Sequence, residues 1–127
     1  TCYGSGKTPP LFWSGMPTGT RSVALVVDDS SAPITPRVYW IVFDISPDTT
    51  DIQAGSLPTG ALQARNSTGK ASYDPPCPSG GPHRYRFTVY ALNAVLHQPA
   101  GTRLKAAWSA IAQHAIAHGR LTATAQP

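Results

Sequence analysis

The chain has 127 residues, a net charge of +4, thirteen prolines and eleven glycines, with only 13% charged side chains. That length holds one domain with a self-supporting core, and the Pro and Gly content argues against long helices and for a mainly β architecture. The basic residues are scattered rather than clustered, which argues against nucleic-acid binding, and no apolar run approaches the roughly 18 residues of a transmembrane segment.

In chain order, the first strong signal is "RSVALVVDD", an unbroken apolar run from Val23 to Val27 ended by Asp28 and Asp29. Such β-branched density without alternation predicts a strand covered on both faces. "RVYWIVFDI", Val38 to Ile45, has the same character and is stopped by Pro47. Turn chemistry, "SSAPITP", separates the two, so they are expected to be antiparallel neighbours in one sheet.

From Ser46 to Gly81 the sequence is polar and broken by Gly and Pro, with "ALQA" at Ala61 to Ala64 as a short strand. Excursions of this length carry binding surfaces in compact domains. "HRYRFTVYAL" then resumes strand character, with His83, Tyr85, Phe87, Val89 and Ala91 sharing one parity. A helix is expected over 102–118, with Thr102 as N-cap, Gly119 as the stop, and Leu104, Trp108, Ile111 and Ala115 as its packing stripe. "RLTATA" can form a last strand.

Most reactive-residue patterns lead nowhere. His114 and His118 lie four apart without an HExxH pattern or an acid on the helix, and read as polar-face histidines near a helix C-terminus, so no metal is assigned. No serine sits in a GxSxG elbow, and Gly80 and Gly81 lack the following helix that a phosphate cradle needs. No catalytic residue and no cofactor is assigned. Cys2 and Cys77 belong to no CxxC pattern and are read equally well as two buried thiols or as one disulfide. What remains is His83 and Tyr85, an imidazole and a phenol at the end of a sheet, able to hold an anion or simply to bond backbone and fill core.

Taken together, "PPLFWSGMPTGTRSVALVVDD", "APITPRVYWIVFDI", "YDPPCPSGGPHRYRFTVYAL" and "PAGTRLKAAWSAIAQHAIAHGRLTAT" resemble, in this order and over nearly the whole chain, the phosphatidylethanolamine-binding proteins, in particular their bacterial Raf-kinase-inhibitor-like branch. The resemblance implies one domain over 1–127, without the family's N-terminal strand. Its fold is a large antiparallel sheet packed with a smaller sheet, plus a C-terminal helix. It also implies a small cavity at one end of the large sheet, able to take an anion, a phosphate or a phospholipid headgroup. Carried over residue by residue, its walls are Asp29, Pro33, Tyr39, Pro75, Pro76, His83 and Tyr85. Ser30 and Ser31 replace a proline and a second aspartate of the family pattern, Pro75 stands for a glycine, Ser79 for a further proline, Tyr3 for an aspartate, and Ala125 for a tyrosine.

The departure with the clearest chemistry is Tyr39, which stands where the family has a strand-opening histidine. A phenol donates one neutral hydrogen bond and cannot supply the charge of an imidazolium, so affinity for dianions is expected to fall. The joint presence of Cys2 and Cys77 resembles the branch that has both cysteines, implying a disulfide between them and an extracytoplasmic location, secreted or at the cell surface. Three functions are therefore weighed. One is a module binding a small anionic or phosphorylated ligand. The second is a secreted interaction or protease-inhibitor-like protein that meets a protein partner through its Pro-rich loops. The third is a small-molecule enzyme using Asp29, Tyr39 and His83 in the same cavity.

Overall fold

A computed structural model of the chain describes residue 8 and residues 10–29, 37–73 and 85–121, with Tyr85 described by its backbone. In chain order its elements are β1 (Leu11–Phe12), β2 (Ser22–Asp29), β3 (Arg37–Ile45), β4 (Asp51–Ile52), β5 (Leu62–Ala64), β6 (Tyr85–Leu92), α1 (Leu104–His114) and β7 (Ala115–Leu121). β1 and β4 form a small two-stranded sheet, and the other strands form a five-stranded sheet in the order β5-β3-β2-β6-β7. Every described strand pair is antiparallel.

β2 is central, and all eight of its residues are buried. The reason is its composition: the run Val23 to Val27 has apolar side chains for both faces and needs a layer on each. On one face Val23, Leu25, Val27, Phe87 and Val89 meet Leu11, Trp13 and Ile52 from the region of the small sheet. On the other, Ala24, Val26, Ile41, Phe43 and Leu92 meet Ala107, Ala110 and Ile111 of α1. Each fully buried Val, Leu, Ile or Phe contributes about 1.5–3 kcal/mol, so these two layers are the main stabilising term.

Two irregularities interrupt β3 where it pairs with β2, one between Val23 and Leu25 and one between Val27 and Asp28. At the first, Asp44 takes a left-handed backbone (φ 55°) and its Oδ1 accepts a 2.9 Å hydrogen bond from the Leu96 N–H. Across it Phe43 packs in the helix layer and Ile45 in the small-sheet layer, although their parity is the same. At the second, Val27 pairs with Trp40 but Asp28 pairs with Val38, leaving Tyr39 as the extra residue of a bulge.

The expected helix is shorter than its sequence pattern. α1 starts after Arg103, which makes no side-chain cap bond, while the Thr102 hydroxyl pairs with Gln98 Oε1 at 3.1 Å. It ends at His114, and Ala115 turns to extended backbone (ψ 124°). Ala115 to Leu121 then pair along β6, from Leu92↔Ala115 to Phe87↔Leu121. A ladder beside β6 satisfies the same backbone groups that a fourth helical turn would, so tertiary pairing overrides local helix propensity here. Gly119 consequently lies inside a strand, and Trp108 stays 41% exposed rather than packing in the stripe.

Candidate functional site

Three strand ends meet at one rim of the large sheet. Asp29, the last residue of β2, pairs with Arg37 at the start of β3 and with Tyr85 at the start of β6. The segments 30–36 and 74–84, which carry most of the site residues expected from the resemblance, are thus joined in sequence to this one rim. Pro33, Pro75, Pro76 and His83, like Cys2 and Cys77, lie outside the described residues.

Asp29 and Tyr39 are brought together. They are 4% and 7% exposed, and Tyr39 Oη lies 3.5 Å from Asp29 Oδ2. An ordinary O–H···O bond is 2.5–3.0 Å, so this contact alone does not lock the phenol to the carboxylate. The bulge is what makes the meeting possible. Strict alternation would put Tyr39 on the face opposite Trp40 and Val42, yet Tyr39, Trp40 and Val42 all pack in the small-sheet layer, the layer that Asp29 faces by its parity with Val27.

The bulged stretch is held from outside. β5 pairs with β3 only over Ile41 to Phe43, so Val38 and Tyr39 have no ladder partner from β5. The following loop supplies partners: the Val38 N–H donates to Ser67 Oγ (2.8 Å), the Ser67 N–H donates to the Val38 carbonyl (3.0 Å), and Asn66 Nδ2 donates to the Tyr39 carbonyl (3.2 Å). Asn66 is buried, and its Oδ1 accepts from the N–H groups of Thr68 and Lys70, so one side chain shapes the loop and fastens it to the site strand. Next to it Trp40 donates to Gln63 Oε1 at 2.6 Å and meets Tyr73 edge-on at 5.4 Å.

A further residue at this rim is Arg37, which the sequence pattern does not single out. The Arg37 guanidinium lies 5.8 Å from the centre of the Tyr39 ring, in cation–π range. The signal was present, since a residue two places away in a strand shares a face, but Arg37 looked like one more scattered charge. The rim therefore combines a buried carboxylate, a phenol and an exposed guanidinium: an acceptor, a neutral donor and a cation. Among the described residues, no group of three or more His, Cys, Asp or Glu is placed to hold a metal ion.

On the opposite face of the same strand ends, Asp28 accepts two bonds from Arg86, from Nε at 3.0 Å and from NH2 at 2.6 Å. The hydrogen bond with Asp28, opposed by partial burial, raises the Arg86 pKa above its ordinary value, so the guanidinium stays charged. This pair clips β2 to β6 just behind the rim.

Comparison with known proteins agrees with this architecture. The family profile described as phosphatidylethanolamine-binding protein matches residues 1–126. A UPF0098 protein of Methanothermobacter thermautotrophicus is 38% identical over 95% of this chain and 83% of its own length. A Mycobacterium tuberculosis protein named as a candidate lipoprotein, LppC, is 41% identical over 98% of this chain and 62% of its own length. Among solved structures, the phosphatidylethanolamine-binding protein homologue CT736 of Chlamydia trachomatis superposes with a TM-score of 0.85 at 34% identity, covering 95% of this chain and 82% of that one. E. coli YbcL, described as a new member of the mammalian family, gives 0.85 at 31% identity, covering 98% and 82%. With the profile spanning all but the last residue and the large sheet, small sheet and helix in place, this chain belongs to the phosphatidylethanolamine-binding protein family.

Proposed function

We propose that the chain is a binding module for a small ligand with an anionic group, a phosphate or a phospholipid headgroup, held at the rim where β2, β3 and β6 meet. The observation that carries this reading is the convergence of Asp29, Tyr39 and the first residue of β6 at one end of the large sheet. Pro33, Pro75, Pro76, His83 and Tyr85 complete the site in this proposal. His83 and Tyr85 face the anion, Tyr39 donates one hydrogen bond, and Arg37 lends positive charge at the mouth. Asp29 accepts from a cationic or hydroxyl part of the ligand, because a carboxylate next to a phosphate is repulsive.

Titration with phosphoethanolamine and with inorganic phosphate, followed by the backbone amides of Asp29 and Tyr39, tests the proposal. Saturable shifts there, lost in His83→Ala, are expected. Binding that leaves both amides unmoved, or that survives His83→Ala undiminished, overturns it.

We further propose that Cys2 and Cys77 form a disulfide and that the protein works outside the cytoplasm, a reading supported by the name of its relative LppC. A gain of two hydrogens in intact mass on reduction is expected, and an unchanged mass refutes the bond.

A further inference from the structure

On the helix side of the large sheet, α1 leaves part of β6 and β7 uncovered. A cavity of about 390 Å³ opens there, at the small end of the roughly 300–1,000 Å³ usual for ligand pockets. Its apolar lining includes Val26 and Leu104, and its aromatic wall is Tyr90 and Trp108, whose rings stand edge to face at 6.1 Å and 90°.

Two polar side chains stand side by side in the lining of this cavity. Thr88 is 5% exposed, and a hydroxyl there can donate to a ligand oxygen. Arg120, paired with Thr88 in register on the neighbouring strand, makes no ion pair among the described residues. The carboxylate of Asp28 pairs with Arg86 through both oxygens rather than with Arg120. The cavity thus holds two guanidinium groups against one carboxylate. His118 lies on the same side, its ring 5.9 Å from Tyr90.

We propose that this cavity is a second ligand site, distinct from the rim at Asp29, and that it takes a small aromatic carboxylate. The ring stacks against Tyr90 and Trp108, where edge-to-face contact favours a flat π-system over an alkyl chain. The carboxylate meets Arg120, whose planar fork matches two oxygens, and accepts from the Thr88 hydroxyl. The apolar lining leaves an inorganic ion half uncompensated, which selects against free phosphate.

NMR titration of the ¹⁵N-labelled protein with 2-naphthoate tests this, with 2-naphthamide as the uncharged ring and inorganic phosphate as the ringless anion. Naphthoate is expected to move the amides of Thr88, Tyr90 and Arg120 and the Trp108 indole N–H saturably. Arg120→Gln, at an exposed position, weakens it about tenfold, the usual worth of a charged hydrogen bond. Thr88→Val weakens it several-fold, and naphthamide binds wild type no better than naphthoate binds Arg120→Gln. Equal binding of naphthoate and naphthamide overturns the proposal, as does an unchanged affinity in Arg120→Gln. So do naphthoate shifts confined to Asp29 and Tyr39, or phosphate moving the Thr88 and Arg120 signals equally well.

Discussion

Asp28 and Asp29 are neighbours in β2 and are both nearly out of solvent, at 8% and 4%, but the strand turns them to opposite faces and into different chemistry. Asp28 faces the helix layer, where Arg86 engages both carboxylate oxygens, at 3.0 and 2.6 Å. Asp29 faces the small-sheet layer at the rim, where Tyr39 Oη lies 3.5 Å from its Oδ2. The same residue type fastens two strands on one side and, in the proposed function, receives part of a ligand on the other. What sends the two carboxylates into different surroundings is the alternation of side chains along the strand.

The largest effect should come from breaking the fastener. Arg86→Met leaves Asp28 as a buried charge without its partner, which costs 3–5 kcal/mol for fully buried pairs. Because the Arg86 side chain is 31% exposed, water offsets part of this and about 2 kcal/mol is expected. Chemical denaturation would read it, and Asp28→Leu added to Arg86→Met should restore most of the loss. Asp29→Asn, by contrast, is expected to improve binding of inorganic phosphate by relieving repulsion, which calorimetric titration would read, whereas Arg86→Met should act on stability. If Asp29→Asn leaves phosphate binding unchanged, the distinction between the two carboxylates fails.

A smaller effect sharpens the role of position 39. Tyr39→His should bind phosphate more tightly as pH falls below about 6.5, where an imidazole gains its proton, whereas wild type should show no such gain arising at this residue. Calorimetric titration at pH 5.5 and 7.5 separates the two.

The smallest effect concerns Tyr90 on the helix face. Burial, and secondarily the charge of Asp28, raises its pKa above the ordinary value. The folded protein therefore holds this proton more tightly than the unfolded chain does. The stability so contributed is complete below pH 10 and is lost as pH rises through the raised folded value. Tyr90→Phe should flatten this alkaline decline, and an identical decline in the variant would show that Tyr90 is not its source.

Much of the architecture could be read without coordinates. β2, β3 and β6 announce themselves as apolar β-branched runs bounded by Asp, Pro and Gly, and "ALQA" marked β5. β1 and β4 were missed because two residues carry no periodicity. The extra four residues assigned to the helix follow from "AIAH", which fits helix and edge strand alike. At the site, Asp29 and Tyr39 were named through the family resemblance, but their contact could not come from alternation, since the bulge reverses the face of Tyr39.

Sequence by itself determined the three long strands β2, β3 and β6, because side-chain shape and apolar density are properties of the residues in the run. It also carried the kinship, through the order of four segments. Only the tertiary structure decided where β3 slips by one residue, which carboxylate of the Asp28–Asp29 pair meets Arg86, and where α1 gives way to β7. Those outcomes depend on partners distant along the chain: a ladder accepts or refuses each residue according to its neighbour strand, and a slip of one place turns a side chain to the other face.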